Sequence, residues 1–283
     1  LIWVAKGRGN FLGQDLDVDI RLYESGNLAL KDLIAGKLDL ATASEFVAVR
    51  ESMGRPDFHI ITILAEAEDQ SLVARKDRGI STLADLANKR VGVARNTSAE
   101  YYLDLLLLLE RMRSKDVAIV DILPSQQVDA LVRGDVDAIM TWEPFTSVAK
   151  KELGENAISF PGQSGQDEFW LLLASNQIVR ERPAAIRKFI RALSAAETFV
   201  ESNRAEAMKI VSAELKDHHL KESWSDHKFV LGLHRPLILK MEAESVWLSS
   251  LPGAENVPQR DVWDAISFDA LRAVAKDKIE MLQ

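Results

Sequence analysis

Cysteine is absent from the 283 residues, and with it go disulfides, thiolate nucleophiles and sulfur-based metal sites. The absence leaves the compartment open, because cysteine-free chains occur in the periplasm as well as the cytoplasm. A basic block is also missing. With 43 acidic and 35 basic residues the net charge is -8, which argues against nucleic acid as a partner. No apolar run is long enough to span a bilayer: the best one, Leu103 with Leu105 to Leu109, is short and flanked by charge. Neither low-complexity sequence nor a Gly/Ser tether occurs, so any two lobes are joined by ordered crossings. No signal peptide is visible. The opening Leu1-Ile2-Trp3-Val4-Ala5-Lys6 reads as the middle of an apolar helix, which implies sequence upstream of it.

The catalytic inventory is nearly empty as well. Gly7-Arg8-Gly9 with Gly13 fails the dinucleotide spacing because Leu12 stands where the third glycine belongs, so it reads as a helix C-terminal turn. His218, His219, His227 and His234 cluster without any metal-ligand spacing and read as surface or partly buried histidines. No nucleophile elbow or phosphate-binding loop is present. Paired glutamates could serve a glycosidase, yet nothing in the sequence fixes their separation. No catalytic residue, cofactor or metal is therefore expected, and the chain reads as a binder rather than an enzyme.

What is present is a repeated unit. Leu33-Ile34-Ala35-Gly36-Lys37-Leu38-Asp39-Leu40 and Leu131-Val132-Arg133-Gly134-Asp135-Val136-Asp137-Ala138 share the pattern Leu-x-x-Gly-x-aliphatic-Asp-aliphatic. In each, the glycine supplies a left-handed helix end and the aspartate opens a strand, with Ser25-Gly26-Asn27 and Pro124-Ser125 as helix starts. Both strands run into a carboxylate at the same offset, Ala43-Ser44-Glu45 and Thr141-Trp142-Glu143. Two equivalent units imply two similar lobes and a ligand cleft. The 47% hydrophobic, 28% charged composition and the length suit two soluble lobes, each with its own core.

Alternation predicts a strand over Asp17–Tyr23, with Val18, Ile20 and Leu22 facing a core. Further strands are expected over Asp39–Thr42, Ile60–Leu64, Ser71–Arg75, Arg90–Ala94, Ala118–Leu123, Ala138–Thr141 and Phe169–Ala174. Helical patterns separate most of them, which points to an α/β fold with mainly parallel sheets. Ser81–Leu86 reads as a short capped helix. Asn96 opens a helix through Met112, with Thr97 and Glu100 at capping-box spacing. From Arg180 onward helices dominate, with Pro183 near a first turn and one late loop at Pro252-Gly253, Asn256 and Pro258.

Two groups of residues can hold a small ligand. Arg95, Asn96, Thr97 and Ser98 stand where a strand meets a helix start, whose unpaired N–H groups and dipole accept an anion; Thr97 and Ser98 can cap the helix and touch a ligand at once. Ser44-Glu45 and Trp142-Glu143 follow strand ends, where the tryptophan offers an apolar wall and the glutamates a polar anchor.

In their joint order these segments resemble the substrate-binding proteins of ABC importers, in the branch serving nitrate, taurine, sulfonates and thiamine-pyrimidine precursors. Ala5 to Phe11 through Leu16-Asp17-Val18 resembles the family's opening helix and turn. Asp85-Leu86-Ala87-Asn88-Lys89-Arg90-Val91-Gly92-Val93 resembles the opening of its second lobe, and Asn96 to Tyr101, Leu123-Pro124-Ser125 and Val136 to Pro144 follow in the expected order. Two departures stand out: Asn96 replaces a usual glycine, and the family's first strand and following ligand loop precede residue 1.

The resemblance implies a two-lobe, type II periplasmic-binding-protein-like fold. Lobe one would comprise residues 1–75 and 169–283, ending in helices, and lobe two residues 76–168. Ser25, Gly26, Asn27, Ser44 and Glu45 would hold one side of a ligand, and Arg95, Asn96, Thr97, Ser98, Trp142 and Glu143 the other. It further implies hinge closure, a monomer, a small organic or oxyanionic ligand and an ABC permease as partner, in the periplasm or outside the cell, with or without a lipid anchor. A ligand-sensing domain of a membrane-bound signalling protein is the alternative output of the same fold.

Overall fold

The computed structural model describes residues 1–53, 57–215, 224, 227–251 and 261–280. His218, His219 and the expected late loop at Pro252, Gly253, Asn256 and Pro258 lie outside the described residues. The chain forms two compact units, one from Leu1–Ala67 and Glu168–Gln283 and the other from Glu68–Asp167. The chain passes from the first unit to the second between Ala67 and Glu68 and returns between Asp167 and Glu168.

In unit 1, β1 (Leu40–Ser44), β2 (Phe58–Ala67) and β8 (Glu168–Ser175) make a three-stranded sheet in the order β1-β8-β2. Strand β8 runs antiparallel to both neighbours. Unit 2 holds β3 (Gln70–Arg75), β4 (Arg90–Val93), β5 (Ala118–Asp121), β6 (Ala138–Trp142) and β7 (Ala157–Pro161) in the order β5-β4-β6-β3-β7. The pairs β4·β5 and β4·β6 are parallel, whereas β3 opposes β6 and β7.

The expectation of mainly parallel sheets is therefore corrected to mixed ones, and the cause is the same in both units. Parallel neighbours need a crossover between them, which helices such as Ser98–Leu109 and Pro124–Arg133 supply. The strand on which the chain arrives from the other unit has no such crossover, and it is inserted reversed between two strands of the resident sheet: β3 in unit 2, β8 in unit 1. Because β3 pairs only with β6 and β7, it belongs to unit 2, and the first crossing falls before it. Strand β7 was not expected from the sequence; its residues are only partly buried, so its apolar signal is weak.

The seven remaining strand expectations are met within a few residues, but Asp17–Tyr23 is not a strand. It alternates in exposure as far as Arg21, yet it pairs with no strand among the described residues, and Leu22 is left exposed. Apolar cores fill each unit. Phe46, Phe58, Ile60, Ile63 and Leu173 are buried in the first, and Val73, Leu131, Val136 and Ile139 cluster in the second. The Pro183–Ser202 helix carries proline in its first turn and buries Ile186, Phe189, Ile190 and Leu193 at helical spacing.

Candidate functional site

The repeated units close their helices by the same bonds. Gly36 (φ 73°) donates to Leu33 O and Lys37 to Asp32 O; Gly134 (φ 79°) donates to Leu131 O and Asp135 to Ala130 O. This is a Schellman ending in both, with a left-handed residue that glycine adopts without a Cβ penalty. The aspartates then diverge. Asp39 is exposed and pairs with Arg182. Asp137 is buried, and its carboxylate accepts the Arg90 N–H at 2.9 Å and the Arg90 guanidinium at 2.7 Å. Those bonds outweigh burial and hold its pKa below the usual carboxylate value.

In unit 1, Ser25 is the N-cap of the Gly26–Ile34 helix, without a side-chain capping bond. Gly26 lets that helix start approach β1: a Cβ there would lie 2.7 Å from Ala43 Cα. Asn27 is buried and its Oδ1 has no hydrogen-bond partner among the described residues. A groove of about 490 Å³ runs between the Leu16–Tyr23 segment and the start of β1, with Ser25 and Gly26 in its wall. Ser44 ends β1 and is the N-cap of the Glu45–Ser52 helix.

Glu45 is not in a loop. It opens that helix with 0% exposure, its Oε2 accepting the Phe169 N–H at 2.9 Å and its Oε1 3.1 Å from Lys240 Nζ. Glu168 and Glu244 lie in the same buried group. Burial, and to a lesser degree the Glu168 charge, pushes the Glu45 carboxyl up to about 7 against the pull of Lys240. Lys240, Glu244 and Glu168 were missed from the sequence. The available signal was a Lys-to-Glu pair one helical turn apart on an otherwise apolar face of the Arg235–Ser249 helix.

In unit 2, Asn96 takes φ 65°, a left-handed conformation that asparagine tolerates, and donates its N–H to Glu100 Oε2 at 2.9 Å. The Thr97 capping box expected from the sequence does not form. Thr97 donates its hydroxyl to Ala94 O at 2.7 Å, and Glu100 reaches back to Asn96 instead. Ser98, buried in the first turn of the Ser98–Leu109 helix, accepts from Gln70 Nε2 at 2.7 Å. Gln70 also stands opposite Trp142 in the β3·β6 register, so one glutamine links the helix start to the tryptophan.

Arg95 is exposed, and its guanidinium pairs with Glu100 at 2.8 Å. Glu143 accepts the Ser147 N–H at 3.1 Å and hydroxyl at 2.9 Å, capping the Phe145–Leu153 helix after a cis Glu143-Pro144 bond. Trp142 is partly buried, its ring edge-on to Phe145. Of the candidate residues, the structure gives Glu45, Glu143 and Arg95 partners within their own units. Ser25 and Thr97 are the N-caps of the Gly26–Ile34 and Ser98–Leu109 helices, neither with a side-chain capping bond. Among the described residues no cluster of acidic residues and histidines suits a metal ion, and no helix is long and apolar enough to cross a membrane.

Comparison with known proteins agrees with this architecture. A putative binding protein of Brucella abortus is 28% identical over 219 residues, spanning 75% of this chain and 66% of that protein. The matched chain thus spans just under two thirds of that relative's length. The alkanesulfonate-binding protein SsuA of Xanthomonas axonopodis pv. citri, solved with MOPS bound, superposes with a TM-score of 0.81 at 17% identity, over 94% of this chain and 93% of that one. The desulfurization enzyme DSZB shares the fold too, with a TM-score of 0.67 at 17% identity over 97% and 95%. The fold is that of the periplasmic binding proteins, and because the NMT1/THI5-like family matches residues 1–207, the chain belongs to that family.

Proposed function

We propose that the protein is an extracytoplasmic solute-binding protein that captures a small sulfonate or related oxyanion, without transforming it, and delivers it to an ABC permease. The observation that carries this reading is the start of the Ser98–Leu109 helix. It presents unpaired N–H groups, with Ser98 positioned by Gln70 and Trp142 alongside. The Gly26–Ile34 helix start, with the unpartnered Asn27 Oδ1, offers a second polar element in unit 1. Within unit 2, Thr97, Ser98 and Trp142 are the proposed ligand contacts; within unit 1, Ser25, Gly26, Asn27 and Ser44 are the residues proposed to contact a ligand. The Xanthomonas neighbour's name supplies the solute class, and the Brucella relative's name supports binding over catalysis.

A thermal-shift screen of alkanesulfonates, taurine, nitrate and pyrimidines tests it, since a ligand that binds the native state raises the melting temperature. A hit followed by calorimetry is expected to weaken at least about tenfold in both Ser98→Ala and Trp142→Ala, with melting temperatures of the free proteins little changed. Unchanged affinity in both variants refutes the placement. Release of sulfite from a bound sulfonate refutes the absence of chemistry.

A further inference from the structure

Glu45 opens the Glu45–Ser52 helix, Glu168 opens β8, and Lys240 and Glu244 lie one turn apart on the Arg235–Ser249 helix; all four are buried. Lys240 faces Glu45 Oε1, and Glu45 Oε2 holds the Phe169 N–H. No described residue offers a donor to either oxygen of Glu244, although both are sealed from solvent. Fully ionised, the group would set three carboxylates against one ammonium where water does not reach, an arrangement that neutralises by taking up a proton. A proton on Glu244 meets both needs: it removes a charge and makes Glu244 a donor towards Glu45.

The charges acting on Glu244 are Glu45, Lys240 and Glu168, and burial, ahead of them, raises its carboxyl well above the ordinary value. On the other elements packed here, Asp264 of the Val262–Ala265 turn is exposed. Arg50, on the last turn of the Glu45–Ser52 helix, pairs with Glu51.

The group stands where the chain re-enters unit 1. Glu168 is the first residue after the second crossing, Phe169 is the next, and Trp170 is paired with Ser44. We propose that these four side chains form a proton-held latch: one proton, shared between Glu45 and Glu244, keeps the start of β8 fastened to the Glu45–Ser52 helix, and its loss loosens that strand. When the proton leaves, Glu45 faces a second carboxylate in place of a donor, and the repulsion falls on the same carboxylate that holds the Phe169 N–H. Resting on the proposed function, the consequence is that solute held at Ser44 is bound more weakly as pH rises.

Amide hydrogen exchange in the solute-free protein tests the latch, with rates corrected for their intrinsic pH dependence. Protection of the Phe169 N–H is expected to fall about tenfold or more between about pH 6 and pH 8, while that of the Gln70 N–H, held by the neutral Gln163, stays flat. Glu244→Gln, which keeps a neutral donor at every pH, is expected to flatten the Phe169 profile. Equal slopes at Phe169 and Gln70, or an unchanged slope in Glu244→Gln, overturn the proposal. Should that variant fail to fold, the infrared spectrum of the wild-type protein decides: a neutral carboxylic-acid band near neutral pH that vanishes on alkalinisation supports the latch, and its absence overturns it. Because no solute enters these measurements, a failed solute screen with an intact exchange profile sinks only the functional reading.

Discussion

Strands β3 and β8 do the same job by different chemistry. Each receives the chain from the other unit, each is inserted reversed into the resident sheet, and each has an early backbone N–H caught by a buried side chain. For β3 the acceptor is the Gln163 carboxamide, 2.9 Å from the Gln70 nitrogen. For β8 it is the Glu45 carboxylate, 2.9 Å from the Phe169 nitrogen, and that carboxylate needs Lys240 and a proton to be tolerable where it is. A neutral clamp is indifferent to pH. A charged buried clamp is strong only while its surroundings balance it.

Lys240→Met breaks the comparison most sharply. It leaves Glu45 among like charges with no cation, and the expected loss of stability is about 3–5 kcal/mol by urea denaturation. A loss under about 1 kcal/mol would mean that the pair is solvated rather than sealed. Gln163→Leu removes the other clamp and orphans the Gln70 N–H, with an expected cost of about 1–3 kcal/mol that is the same at every pH.

The pH dependence sharpens the same contrast. The folded-state value of Glu45, about 7, lies above its ordinary 4.5, so the folded protein holds a proton that the unfolded chain releases. The stabilisation from that proton is complete below pH 4.5 and is lost as pH rises towards about 7. The urea midpoint is therefore expected to fall across that window in wild type and to fall less in Glu244→Gln. A wild-type midpoint that stays flat or rises across the window, with no difference in Glu244→Gln, would overturn the raised Glu45 value.

How far the sequence could be read follows from the same chemistry. Local signals were legible: Gly36 and Gly134 do end their helices left-handed, Asn96 does adopt the left-handed conformation that asparagine tolerates, and seven strands lie where alternation or apolar runs place them. The direction of β8 and β3 was not, because antiparallel insertion is set by where a distant segment docks and leaves no mark within the strand. The matched offset of Glu45 and Glu143 predicted matched roles, and the surroundings assigned different ones. Glu143 meets the hydroxyl and N–H of Ser147 four residues on, a local partner. Glu45 meets a lysine nearly two hundred residues away, which spacing cannot announce. Asp17–Tyr23 has a strand's alternation and, among the described residues, no strand to pair with, so period alone did not make it one.

The repeated helix endings offer the finest test. Gly36 and Gly134 share the left-handed turn, so an alanine at either pays the penalty of an L-residue there, about 1 kcal/mol. Their surroundings differ. A Cβ at Gly36 meets nothing within 4 Å, whereas one at Gly134 would lie 2.6 Å from Arg78 Nη2. Arg78 is the far end of a flexible side chain, and its guanidinium stands at the outer limit of pairing with Asp137, 4.0 Å away, so it can swing aside at little cost. Gly134→Ala is therefore expected to exceed Gly36→Ala by only a few tenths of a kcal/mol in urea denaturation. A much larger excess would mean that Arg78 is held firmly by Asp137, and that the second copy of the motif relies on its charge cluster as well as its turn.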